Sequence, residues 1–371
     1  GRQPSPSKSA ASSSMLKAAR LTSMAATTAA LTVLHSPESF AKHVTPSYHP
    51  ECRSRTDAAA VEGLRSLLKA PSPTFEEALE PHPRVDVALG RVHGEAYLGR
   101  LAEPVEATQL RALDEDTFLS AGSFEATKLA TSLWLYGVDA VLETQQDDVA
   151  FAFSRPPGHH AGASTACGFC TLNHAAAAAA YALDSVDCVA VLDVDVHFGN
   201  GVASIFGTNS LFSTKGRARY ASIHQHPAYP FSGTRGAEAL FGGDSAKEVL
   251  KFVPVLPETD GRTWLRKLQE DALPFLEDLR PDLLVVCAGF DALDSDPLAQ
   301  LQLTNSDFAH AATAIRRSFP DIPIVAGLEG GYDVDALPAA IAAFLDGLVV
   351  KPSTTTTTTT PNSEEPSFSS A

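Results

Sequence analysis

The chain has 371 residues, 44% of them hydrophobic, and a formal net charge of -16 at pH 7, which fits one large α/β domain of roughly 300 residues with irregular ends. No uninterrupted apolar run approaches the ~20 residues that span a bilayer. The acidic balance argues against non-specific attraction to nucleic-acid phosphates and leaves room for cationic substrates.

From Gly1 to Ser36 the sequence is rich in Ser, Ala and Thr, carries Arg2, Lys8, Lys17 and Arg20, and has no acidic residue before Glu38. That composition resembles an organelle transit peptide, so residues 1–30 read as a transit-like or disordered segment. A plastid or mitochondrion is the expected destination, with cytoplasm or nucleus as the alternative. Short apolar runs follow at 149–153, 189–196, 220–223, 283–287 and 324–328, alternating with helix-like stretches at 172–183, 263–279, 306–319 and 334–348. This alternation predicts a doubly wound α/β sheet, the alanines of 172–183 letting a helix pack close to it. Residues 351–371 include seven consecutive threonines with Pro, Ser and Glu, a composition that buries too little surface to fold. The five cysteines, Cys52, Cys167, Cys170, Cys188 and Cys287, are an odd number in a long chain and do not read as a disulfide framework, so a reducing compartment is expected.

In an open parallel sheet, ligands bind beyond the carboxyl ends of the strands. There the run at 189–196 meets Asp193, Asp195 and His197 before Gly199-Asn200-Gly201. Acidic groups in a buried strand demand compensation, and alternation places all three on one strand face, as in a metal site. The bland alternative is an Asp capping the next helix and a His satisfied in the core. Three further runs end in reactive loops: Arg155-Pro-Pro-Gly-His159-His160, Ala288-Gly-Phe-Asp291 and Glu329-Gly-Gly-Tyr332-Asp333. Four such loops describe an active site. Cys167-Gly-Phe-Cys170 has the spacing of a redox pair or half a zinc knuckle, but no second Cys-x-x-Cys and no thioredoxin-like context accompany it. Structural thiols are the simpler reading.

With His43-Val-Thr-Pro, His49-Pro-Glu, Gly168-Phe-Cys-Thr-Leu-Asn173, Ser222-Ile-His224 and Asp296-Pro-Leu298, the series resembles the zinc-dependent histone deacetylase and acetylpolyamine amidohydrolase family, in its class II and bacterial-type branch, over about residues 31–349. The resemblance implies an arginase-like three-layer α/β/α catalytic domain at 31–350 with a mainly parallel central sheet. It implies one Zn²⁺ per chain on Asp195, His197 and Asp291, leaving coordination open for water and substrate. His160 then moves protons, His159 is its electrostatic partner, and Asp193 backs His159. Asn200 stands beside His160 where other branches use Asp, leaving His160 less basic. Tyr332 is the implied oxyanion donor. Phe169 and Phe231, with Gly168, line a narrow tunnel for an acyl-lysine stem, and Asp116 is the rim carboxylate that holds the substrate backbone. Leu298 stands where polyamine-specialised members can place Glu. A structural potassium ion would use the side chains of Asp193 and Ser222 and the backbone carbonyls of Asp195, His197 and Ile223.

The departures are Phe198 in place of a second His, Ser232 in place of Pro, and a long connection at 207–219; none removes a catalytic group. The implied function is deacetylation of lysine side chains on histones or other proteins. Alternatives are hydrolysis of small acetylated amines, a catalytically silent acyl-lysine-binding scaffold, or a ureohydrolase, for which the extra ligands of a two-manganese site are lacking. No nucleic-acid or membrane partner is expected, and the sequence is silent on oligomeric state.

Overall fold

The computed structural model describes residues 30–143, 147–214 and 216–350. The transit-like segment before Ala30 and the Thr-rich tail at 351–371 lie outside the described residues. The largest sheet has eight strands: β1 (Ala30–His35), β2 (Thr74–Glu77), β3 (Asp147–Phe153), β4 (Val189–Asp193), β5 (Ala218–Gln225), β6 (Leu250–Val255), β7 (Leu283–Ala288) and β8 (Ile324–Leu328). Their order is β2-β1-β3-β8-β7-β4-β5-β6, and every pairing is parallel.

Parallel sheets bury both faces under crossover helices, so their central strands are apolar on both sides. Along β3, Val149, Phe151 and Phe153 enter one core while Ala150 and Ala152 enter the other. Helices α1 (Ala58–Leu67), α2 (Val85–Val92), α3 (Ser123–Glu143), α4 (His174–Ala182), α5 (Asn200–Thr208), α6 (Gly261–Lys267), α7 (Leu273–Glu277), α8 (Asn305–Ser318) and α9 (Leu337–Val349) divide between the faces. Buried side chains of α1 and α6 to α9 share a core with Val149, and those of α2 to α5 share the other. On α4, Ala175 to Ala180 are fully buried, and the absence of bulk there lets the helix sit against the sheet and beneath α2 and α3. No helix among the described residues is long and apolar enough to cross a membrane.

Two expectations about elements change. The run 189–196 is not one strand: β4 ends at Asp193, because after Val194 N, which still donates to Cys287 O of β7, carboxylates rather than a neighbouring strand take the amides. Asp195 N donates to Asp193 Oδ1, Val196 N to Asp291 Oδ1 and His197 N to Asp195 Oδ1. Asp193 therefore closes the strand while Asp195 and His197 lie in the loop after it, not on one strand face with it. The stretch 263–279 is helical but widens into a π turn at Leu268–Ala272; Pro274 follows and has no N–H for the regular ladder.

Candidate active site

The loops after β3, β8, β7 and β4 carry the reactive groups, and these four strands are adjacent in the sheet. Residues remote in sequence thus converge at one end of it. His197 Nδ1 lies 3.0 Å from Asp291 Oδ2 and 3.3 Å from Asp195 Oδ1, and donor atoms of all three residues fall within 4.8 Å of one another. Gly330 N holds the other Asp195 oxygen at 2.7 Å. A Cβ at Gly330 would overlap both Asp291 and Asp195, so the loop before Tyr332 can approach the carboxylates only as glycine.

Both carboxylates are fully buried, and each is perturbed by the charged groups around it. Burial and the Asp195 charge raise Asp291 to about 7. Against burial, His159 and His197 hold Asp195 well below the carboxylate range, and the two carboxylates raise His197 to about 10 despite its own burial. One imidazole thus lies between two buried carboxylates whose charge a divalent cation would offset. One nitrogen and two carboxylate oxygens with open positions fit a divalent, zinc-type ion.

His159 and His160 lie beside this cluster with ring centroids 4.0 Å apart. His159 Nδ1 donates to Asp193 Oδ2 at 3.1 Å, which also accepts from Tyr220 OH at 2.8 Å. Burial opposes charge on His159, but Asp195 and Asp193 raise it well above its ordinary value. His160 moves the other way, lowered well below by burial and then by His159 and His197. Its Nδ1 meets Asn200 Oδ1 at 2.7 Å, and an amide oxygen only accepts, so Nδ1 carries the proton and Nε2 keeps its lone pair. The Asn200 bond itself raises His160; the low basicity comes from burial and the neighbouring imidazoles, and an amide does less to offset them than a carboxylate would.

Tyr332 is fixed by its backbone N–H on Asp296 Oδ2 at 2.7 Å, by Phe169 edge-on at 5.6 Å and by the Arg55 guanidinium 4.8 Å from its ring centroid. Burial pushes its hydroxyl well above the usual phenol range, keeping it a donor. Phe169, at φ +68°, also meets His49 at 4.6 Å. Its N–H is held by Thr117 Oγ1, which donates to Asp116 Oδ1; that chain ties the Asp116 carboxylate to Phe169, and burial and Asp114 raise Asp116. Leu298, 40% exposed, donates its N–H to the other Asp296 oxygen and so shares the anchor of Tyr332.

Two aromatic residues stand near the second expected wall. Phe231 is 76% exposed, and Tyr229, which the sequence reading did not single out, packs edge-on against His160 at 5.1 Å. Gly168 lies between them: a Cβ there would meet both His160 and Tyr229. Phe198, the departure beside the zinc-type His, is buried against His224 and Phe252. Asp193 and Ser222 are register partners on β4 and β5, with Ile223 next on β5; Ser222 Oγ pairs with His224 Nδ1 at 2.8 Å.

The sequence reading missed a buried clamp behind the site. Arg155 binds Glu51 through two contacts of 2.7 Å and donates to the carbonyls of Phe40 and His43. Arg55 donates to the carbonyls of Gly331 and Glu329, and Glu329 Oε2 accepts the amides of Gly158 and His159. The available signal was Glu51 and Arg55 four apart, next to His49, in a loop already singled out.

The histone deacetylase domain model matches residues 49–348. An uncharacterized protein of Synechocystis is 38% identical over 322 residues, 85% of this chain and 99% of that one. The histone deacetylase-like amidohydrolase of Pseudomonas aeruginosa is 36% identical over 292 residues, 77% of this chain and 74% of that one. Among solved structures, the HDA15 HD domain superposes with a TM-score of 0.76 at 25% identity, covering 88% of this chain and 89% of that one. The shared architecture is the arginase-like α/β/α fold, and with this match over most of its length the chain belongs to the histone deacetylase family, as a hydrolase of the deacetylase type.

Proposed function

We propose that the chain is a zinc-dependent amidohydrolase that removes acetyl groups from lysine side chains of histones or other proteins. The carrying observation is the convergence of Asp195, His197 and Asp291 beside a neutral His160 and a protonated Tyr332. A zinc ion held by those three residues supplies Lewis acidity to the amide carbonyl and lowers the pKa of water. His160 receives the proton of the attacking water at Nε2, since Nδ1 is committed to Asn200, and returns it to the departing amine. His159, bonded to Asp193, stays in place beside that proton transfer. Compensation of Asp195 by a cation weakens one source of His159 basicity and leaves the Asp193 bond. Tyr332 donates its hydroxyl to the oxygen that gains charge in the transition state. Phe169 and Phe231, with Tyr229 beside His160, supply apolar walls for the lysine stem, and Asp116 holds its backbone.

Leu298 favours acyl-lysine over small polyamines, because at 40% exposure it offers no carboxylate to a second cation. A silent scaffold has no use for an intact set of ligands, tandem imidazoles and Tyr332. For potassium on Asp193, Ser222 and the carbonyls of Asp195, His197 and Ile223, the support is the resemblance and the pairing of β4 with β5. The assay is purified protein against acetyl-lysine peptides, longer acyl-lysines and acetylated polyamines, with metal measured in the same sample. Two metals per active chain, full activity without metal, or a preference for polyamines would overturn this reading. Import into a plastid or mitochondrion is proposed from the acid-free N-terminal composition; residues 1–45 fused to a fluorescent reporter test it, and a cytosolic or nuclear reporter would refute it.

A further inference from the structure

Cys167 and Cys170 oppose each other across a two-residue turn. Cys167 N donates to Cys170 O at 3.2 Å and Cys170 N to Cys167 O at 3.0 Å, an isolated antiparallel bridge. Between them Gly168 and Phe169 have φ of +56° and +68°, the paired positive angles of a type I′ turn. Directly opposed residues in such a pair have Cα atoms about 5.5 Å apart and side chains on one face, inside the span of roughly 4.4–6.8 Å that a disulfide accepts. The sulfurs bond to the backbone of the turn and of the catalytic residue beside it: Cys167 Sγ donates to His160 O at 3.3 Å, and Cys170 Sγ to Gly168 O at 3.3 Å. Both are free thiols, Cys167 half-buried and Cys170 buried.

We propose that Cys167 and Cys170 form a reversible dithiol–disulfide switch whose closure displaces His160 and the Phe169 wall and stops turnover. Opposed Cβ atoms in such a pair stand about 4.5–5.5 Å apart and a disulfide needs roughly 3.5–4.5 Å, so closure draws the ends of the turn together by about 1 Å. It also removes the S–H donor from His160 O. The turn cannot absorb this alone, because Phe169 is held between His49 and Tyr332 and Gly168 lies against His160 and Tyr229.

The oxidant is a low-molecular-weight disulfide. The Cys167 thiol, the more accessible, loses its proton and its sulfur attacks one sulfur of the oxidant; the oxidant's S–S bond breaks and the released thiolate takes up a proton. Cys170, deprotonated in turn, attacks Cys167 Sγ in the mixed disulfide and expels the second thiol. The pair loses two electrons, and one disulfide becomes two thiols with no net change in protons. A dithiol reductant reverses the sequence. Burial pushes both thiols up, Cys170 well above, so exchange is slow and the pair follows a sustained change of redox poise rather than relaying electrons.

The test uses the full zinc-loaded chain equilibrated in buffers of graded ratio of reduced to oxidised glutathione, then alkylated, mapped by peptide mass, and assayed for acetyl-lysine hydrolysis and zinc. We expect a peptide containing both cysteines to lose two hydrogens, and activity to fall about ten- to a hundredfold with it, the scale of a ~1 Å misplacement at a catalytic group. Zinc should be retained and dithiothreitol should restore activity. Cys167→Ser and Cys170→Ser, each measured against its own reduced activity, should be insensitive to the same buffers. Thiols that stay alkylatable at every ratio, a disulfide that leaves activity unchanged, or equal oxidative loss in the Ser variants would overturn the proposal. The mass readout is independent of substrate, so failure of the acetyl-lysine reading is told apart from failure of the switch.

Discussion

Replacing Asn200 with Asp probes the feature that sets this site apart from branches with a carboxylate there. Asn200→Asp puts a negative charge where Oδ1 now accepts from His160 Nδ1 at 2.7 Å. At an effective dielectric constant of about 20, unit charges ~4 Å apart interact by about 4 kcal/mol; desolvating the new carboxylate takes back part of that, leaving the one to three pKa units, roughly 1.4–4 kcal/mol, that an adjacent opposite charge produces. His160 starts well below 6.5, through burial and then His159 and His197. Because the reaction uses neutral His160, the acid limb of kcat/KM should lie below pH 6.5 in the parent and move upward by about one to three units in the variant. The assay is kcat/KM on an acetyl-lysine peptide from about pH 5 to 9, with zinc measured at each point so that metal loss is not read as titration. A limb that stays in place or moves to lower pH would refute both the role of His160 and the account of its basicity.

The candidate metal cluster was legible because each of its parts carries a local signal. Asp195 and His197 sit in one loop, and that loop, like the ones holding His160, Asp291 and Tyr332, begins where an apolar run ends. What stayed hidden depends on partners distant in the chain. Val194 and Val196 are apolar and buried, so 189–196 reads as continuous strand; only the approach of Asp291 to the Val196 amide shows that the strand has stopped. Tyr229 and Phe231 are two aromatic residues separated by one Pro, and nothing in their order says that the Tyr229 ring packs on His160. Arg155 and Glu51 stand 104 positions apart and are of a type that is usually exposed. Strands β1, β2 and β6 escaped notice for local reasons: β2 is mostly exposed and polar, and β6 carries Pro254, which an edge strand tolerates.

Tyr332→Phe should keep fold and zinc, bind an acetyl-lysine peptide within a few-fold of the parent and lose roughly a hundredfold or more in kcat, the scale of one oxyanion donor; near-normal turnover would make Tyr332 a packing residue. Asp291→Ala should lose metal and activity together while His160→Ala keeps its metal and loses turnover, and equal metal loss in both would end that division of roles. The clamp behind the site carries the last expectation. Glu51→Gln leaves Arg155, fully buried, without the carboxylate that meets it in two contacts of 2.7 Å, and breaking such a pair costs about 3–5 kcal/mol of unfolding free energy. Burial alone would raise Glu51, but Arg155 and His43 hold it well below its ordinary 4.5. A depressed folded-state pKa gives stability that is fully present above the unfolded value and is lost as pH falls through the folded one. The gap between parent and variant in urea unfolding should therefore be constant near neutrality and narrow only below about pH 4. A gap under ~1 kcal/mol at neutral pH, or one unchanged by acid, would show that the ion pair does not hold the Arg155 loop in place.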